Sequence, residues 1–325
     1  MSVAGLRVCF AFLFIIYGLA PLVAHAGKNP WDSKLLVANA PEAEVPKPLE
    51  KPETPPPAAP KEISPAVKTS DVQKLHYDVY AGGVHAVLAD LTVDMSEKGR
   101  YSMFFEAETR GILETFVPWK GLFESKGWAL KGGERIPELH ESTAIWQEER
   151  EVKSYHYDKK DGFQDLVVSY VGKKPRTEDT DKDLAKDTTD VLTATLLIME
   201  HISQSGNCDG SSDIFDGRRR FSLVFHHEGY SKLEKSRYNA YSGPAIACTV
   251  EVKPEGGAWH KKPRGWMSIQ EQGRVRGMMP TVWFARIGDS EIAVPVRVLV
   301  KTAYGTMFMH LKTYNSGDLV LTANK

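Results

Sequence analysis

The chain has 325 residues, with 41 lysines and arginines against 42 aspartates and glutamates and a formal net charge of −1. That balance excludes a dedicated nucleic-acid binder, which needs a basic stripe to displace counterions from phosphates. Its length beyond the leader and linker is enough to bury one sizeable core.

The N-terminus, "MSVAGLRVCFAFLFIIYGLAPLVAHA", carries a single charge, Arg7. An apolar run from Val8 to Val23 follows, then a small-x-small site at Ala24-His25-Ala26. This pattern predicts a secretory signal peptide over residues 1–26 and export to the periplasm. The run is shorter than the ~20 residues a spanning helix needs, and the alternative is an uncleaved inner-membrane anchor. Removal of residues 1–26 takes Arg7 and no acid, leaving 40 basic and 42 acidic side chains and a net charge of −2. Cys9 leaves with the leader, so Cys208 and Cys248 remain in an oxidising compartment, where a disulfide is the default. Its loop of roughly 40 residues would stabilise by about 4 kcal/mol in the chain-entropy model.

Residues 27–70 read as a disordered linker. Within them, residues 41–65 hold nine prolines alternating with Glu and Lys, a composition that stays extended and solvated. From Asp71 to Lys325 the chain alternates like a half-buried sheet. "LHYDVYAGGVHAVLADLTVDM" gives two strands around the turn Ala81-Gly82-Gly83. "RYSMFFEAETRG" is a third, and "ILETFVPWKGLF" opens as a short helix limited by Pro118. "STAIWQEEREVKSYHYD" and "GFQDLVVSYVG" flank the turn at Lys159 to Gly162. Strand readings continue through "RRFSLVFHHEG", "YSKLEKSRYNAY", "IACTVEVKP", "GWMSIQEQG", "TVWFARIG", "EIAVPVRVLVKT" and "YGTMFMHLKTY".

One segment, "DTTDVLTATLLIMEHISQSG", breaks the rhythm. Asp187, Thr188 or Thr189 is the expected cap, Gly206 the terminator, and residues 190–204 the helix. It is apolar around most of its circumference, so it must be buried, and the concave side of a curved sheet is the place for it.

No complete catalytic motif is present. Asp179, Asp181 and Asp183 have calcium-loop spacing, but Leu184 stands where that loop needs glycine. His226 and His227 are adjacent on a strand and point to opposite faces, unlike the paired histidines of a zinc hydrolase. Neither a nucleophile elbow nor a phosphate-binding loop occurs. No metal or other cofactor is expected. The basic clusters are Lys261-Lys262-Pro263-Arg264 and Arg218-Arg219-Arg220, the latter a candidate anion contact.

From about Leu75 to Leu311 the chain resembles the bacterial envelope family called domain of unknown function 3108. The likeness rests on "YDVYAGGVHAVLADLTV", "DVLTATLLIM", "IFDGRRRFSLVF", "CTVEVKPEGG" and "IAVPVRVLVKTAYGTMFMHL", in that order. It departs at "DTTDVLT", where a Pro-Leu-Ser usually opens the helix, and in the charged insert "KKPRTEDTDKDLAKD". The family is similar in plan to the periplasmic lipoprotein carriers LolA and LolB. The resemblance implies a mainly β protein: a curved antiparallel sheet, or incompletely closed barrel, with one or two helices packed against its concave face. It brings no catalytic residues.

The leading expectation is a non-enzymatic periplasmic binder of an acyl chain, lipid or lipoprotein segment. Phe104, Trp146, Phe221, Phe225, Trp283 and Phe308 are the candidate ligand-lining residues. Trp283 and Phe284 are neighbours on a strand, so at most one of them lines the hollow. The alternatives are an envelope scaffold with a self-filled barrel that meets protein partners at its edges, and a glycan or peptide hydrolase.

Overall fold

The computed structural model describes residues 68–302 and 305–325. The segment read as a signal peptide and nearly all of the one read as a linker lie outside the described residues.

Among the described residues, fifteen strands form one antiparallel sheet. The first eight are β1 (Val72–Ala81), β2 (Val84–Asp94), β3 (Arg100–Thr109), β4 (Trp119–Ala129), β5 (Arg135–Trp146), β6 (Glu149–Asp158), β7 (Gly162–Tyr170) and β8 (Arg176–Thr177). The rest are β9 (Gly210–Phe215), β10 (Arg219–Leu233), β11 (Gly243–Gly257), β12 (Thr281–Arg286), β13 (Ala293–Thr302), β14 (Gly305–Ser316) and β15 (Leu319–Thr322). The described helices are α1 (Ile112–Phe116), α2 (Lys182–Ala185), α3 (Val191–Ser205) and α4 (Trp266–Val275). The strands lie side by side in the order β8-β7-β6-β5-β4-β3-β2-β1-β14-β13-β12-β11-β10-β9, with β15 beside β14. The pairing of β1 with β14 joins the two ends of the domain.

Local chemistry explains much of this. Gly82 and Gly83 both take positive φ, the conformation a tight hairpin turn demands, and so bring β2 back along β1. Along β13, Val294, Val296, Val298 and Val300 face the core while Pro295, Arg297 and Leu299 point away.

Helix α3 shows that the sheet is curved. It packs against β4 and β5 on one side and against β9, β12 and β13 on the other. In the strand order β5 and β12 are seven places apart. In a flat sheet that is about 34 Å at ~4.8 Å per strand, far more than a helix some 10–12 Å wide can span. The sheet therefore wraps around α3. It does not close into a barrel. Side chains and a connecting segment bridge the gap: Phe163 and Phe215 meet edge to face at 5.2 Å, and Thr189 N–H donates to the Asp213 carbonyl at 2.9 Å.

Four expectations need correction. "STAIWQEEREVKSYHYD" is not one strand: it turns back at Gln147 and Glu148, from β5 into β6. The helix cap is Asp190, not Asp187, Thr188 or Thr189: its carboxylate accepts from the backbone N–H of Leu192 and Thr193. "GWMSIQEQG" is α4 and not a strand, since Trp266, Ile269, Gln270 and Gly273 follow helical spacing and face the core. The Gln270 side-chain amide donates to the Val252 carbonyl at 2.9 Å and accepts from its N–H at 2.8 Å, doing for β11 what a neighbouring strand does elsewhere. "YSKLEKSRYNAY" holds strand only to Leu233; the charged remainder is a loop over 234–242. Gly206 does end α3, in the left-handed conformation with φ 70°, and its N–H returns to the Ile202 carbonyl.

Candidate functional site

Among the described residues, the side chains that meet α3 are almost fully buried. Phe221, Phe225 and Phe284 are 2 %, 7 % and 3 % exposed, and Leu196 and Met199 of α3 are 0 % exposed. Phe221, Phe284, Leu196 and Met199 leave almost no surface for a ligand to touch, while Phe225 borders an open surface pocket with Ser222, Val224 and His226. Phe221 packs edge to face on Trp259, and Phe225 on Phe284. These rings are core contacts.

The other candidate lining residues sit elsewhere. Phe104 is 37 % exposed on the outward side of β3, because Met103 and Phe105 take the inward positions. Phe308 faces outward between the inward Met307 and Met309. Of the pair on β12, Phe284 turns inward and Trp283 outward, where its indole N–H donates to Ser231 at 3.3 Å. Trp146 ends β5, half-buried and paired with Trp119. Alternation along β3, β14 and β12 separates Phe104, Phe308 and Trp283 from the interior set, whereas Trp146 has the inward parity of His140 and Ser142 but stands at the end of its strand.

The arginine cluster is largely engaged. Arg219 pairs with Asp216 at 2.5 Å and lies over Trp259, while Arg220 pairs with Asp213 at 2.6 Å and donates to the Lys186 carbonyl. Arg218 alone of the three is exposed. The acidic run also has a local task, since Asp181 caps α2. Cys208 and Cys248 form a disulfide with Cα atoms 6.2 Å apart, tying the loop after α3 to β11.

A buried Ser–His–Asp group lies at the start of α3. Ser125 donates to Asp190 at 2.6 Å, its oxygen lies 2.6 Å from His140 Nδ1, and that nitrogen is 3.3 Å from Asp190. Thr193 donates to the other carboxylate oxygen at 2.5 Å and shares a hydrogen bond with Tyr101. Burial pushes the Asp190 carboxyl up, but His140 and the hydrogen bonds from Ser125 and Thr193 outweigh it and hold the group below its usual range. In a hydrolase triad the serine and the acid bond opposite ring nitrogens. Here both gather at Nδ1, and all three side chains are buried. The group caps and anchors a helix.

The chemistry left facing outward forms a ladder across five adjacent strands. His85 of β2 is registered with Tyr80 of β1, Asp78 of β1 with His310 of β14, His310 with Arg297 of β13, and Arg297 with Trp283 of β12. Asp78 is nearly buried, with His85 Nε2 at 3.2 Å, Tyr80 hydroxyl at 3.5 Å and His76 at 4.0 Å. Tyr238, from the loop after β10, stacks on His310 and meets Tyr80 edge-on. Phe308 also stacks on His310, at 5.8 Å and 10°. Burial, with Arg297 next, lowers the His310 pKa to about 4 against the pull of Asp78. Burial also lowers that of Arg297. The Arg297 guanidinium lies 4.9 Å from the Trp283 ring and 5.6 Å from the Phe308 ring. Arg297 Nε and His310 Nδ1 are both buried without a hydrogen-bond partner among the described residues.

The fold is an open antiparallel sheet wrapped around its own helix, with this ladder on its back. The chain belongs to the family described as "Protein of unknown function (DUF3108)", which matches residues 76–312. No curated protein matches it. Among solved structures, a β-barrel-like protein of domain of unknown function DUF1849 from Brucella abortus is similar. It shares 10 % identity, covers 78 % of this chain and 100 % of its own, and superposes with a TM-score of 0.43.

Proposed function

We propose that this protein is a non-enzymatic interaction module of the bacterial cell envelope, exported to the periplasm, with an interior filled by its own helices and partners bound on its outer face. The observation that carries this reading is the complete burial of Leu196 and Met199 among the side chains of the described sheet. An acyl carrier needs a void along that wall, whereas a module needs only a rigid sheet. The polar ladder through Asp78, His310 and Arg297 supplies chemistry where a partner can reach it. Export follows from the leader pattern at residues 1–26. Ser125 is fully enclosed, which speaks against a serine-hydrolase role for the Ser125–His140–Asp190 group.

Native mass spectrometry of protein purified gently from its own cells tests the reading. The expected result is the mass of the polypeptide alone, or with another protein. A stoichiometric lipid-sized addition that persists in an Arg297→Gln variant would favour the carrier.

A further inference from the structure

We propose that the outward face of β12, β13 and β14 binds an oxyanion, a phosphate or carboxylate group, at the guanidinium of Arg297 with His310 beside it. This rests on the reading that ligands meet the protein on its outer face, and it names their chemistry.

The argument begins with charge. Arg297 is half-buried between two aromatic rings, which strip part of its hydration and fix its plane. A desolvated cation is costly unless an anion accompanies it. Among the described residues no carboxylate forms an ion pair with Arg297. Its Nε has no hydrogen-bond partner either. The rings explain a cation lying flat on an aromatic shelf; they leave its charge without an anion among the described residues.

The surroundings reinforce the sign. Lys312 follows His310 on the same face of β14, and its Nζ donates to the Arg237 carbonyl at 2.6 Å. The Arg237 guanidinium lies over Tyr238 at 4.6 Å. Lys301 stands further along β13 on the side of Arg297. The acid nearest in register is Asp78, beyond His310, with His85 Nε2 at 3.2 Å, the Tyr80 hydroxyl at 3.5 Å and His76 at 4.0 Å. Asp90 is held by His76 at 2.8 Å. The face is thus positive at Arg297 and balanced only toward β1 and β2. His310, uncharged at neutral pH, adds a ring edge that can hydrogen-bond without further charge. A fork of guanidinium donors suits a planar or tetrahedral oxyanion. Trp283 and Phe308 beside it suit an apolar or planar body attached to that group.

The test is a titration of the full chain followed by the indole N–H signal of Trp283, assigned with Trp283→Phe. The probes are inorganic phosphate and acetate at constant ionic strength, with chloride as control, and vesicles of phosphatidylglycerol against phosphatidylcholine. The expected result is a saturable shift with phosphate or acetate, or binding to the phosphatidylglycerol vesicles alone. The first outcome assigns a soluble oxyanion and the second a lipid headgroup. Arg297→Gln should weaken binding at least tenfold with an unchanged melting temperature. Arg297→Lys, which keeps the charge and loses the fork, should fall between and serves if Arg297→Gln fails to fold. No saturable response to any probe, or equal affinity in the variants, overturns the proposal. That failure leaves the filled interior untouched, because an acyl chain among the core residues would not depend on Arg297.

Discussion

Two residues show how the same side-chain types serve stability on one face and chemistry on the other. Asp190 accepts from two backbone N–H groups of α3 and from Ser125 and Thr193. Asp190→Ala removes a helix cap and leaves buried partners unmatched, for an expected loss of about 2–4 kcal/mol in urea unfolding. A loss under about 1 kcal/mol would mean that the network is incidental. His310 acts through protons. Folded, it stays neutral down to about 4, while an unfolded imidazole takes its proton near 6.5. Between those values the unfolded chain binds more protons, so this group's contribution makes stability fall as pH drops from 6.5 toward 4 and level off below. His76, raised by its hydrogen bond to Asp90, acts in the opposite sense in parent and variant alike. His310→Phe should therefore flatten the dependence of the urea midpoint on pH across that window, and an unchanged slope would contradict the assignment.

Among the elements, α3 carries the most weight. Its sequence is apolar on nearly every side, and the sheet encloses it. Leu196→Asp would place an unpaired carboxylate at a position with 0 % exposure, and failure to fold is the expected outcome by circular dichroism. A variant that melts like the parent would make α3 peripheral. The disulfide contributes differently, by restricting the unfolded chain. Replacing both Cys208 and Cys248 with serine should cost about 2–5 kcal/mol and leave the fold in place, read from paired urea melts. The helix and the disulfide were legible in the sequence because both depend on local pattern or compartment. The start of the helix was not, since Thr188, Thr189 and Asp190 are all competent caps and only tertiary partners choose between them. Helix α4 was misread because a ten-residue helix with Gly273 and two glutamines carries a weak apolar period.

At the scale of the molecule, alternation announced many strands but not their neighbours. Asp78 and His310 meet because β1 pairs with β14, a contact more than two hundred residues apart in the chain. Titratable residues at outward positions in "LHYDVYAGGVHA", "VPVRVLVK" and "TMFMHLKTY" were the visible trace of the ladder. Nothing in those runs says that they converge. The same blindness put Phe104, Trp283 and Phe308 in a hollow, because a period of two separates the faces without saying which one is inside. The central claim is that the inside is solid and the outside binds. Displacement of a fluorescent fatty acid from the delipidated, folded protein tests it most directly, across chains of about eight to sixteen carbons and in both parent and Arg297→Gln. The account predicts no saturable binding that survives Arg297→Gln. One-to-one binding that persists in that variant, and weakens when Phe284 is made smaller with the fold intact, would contradict it.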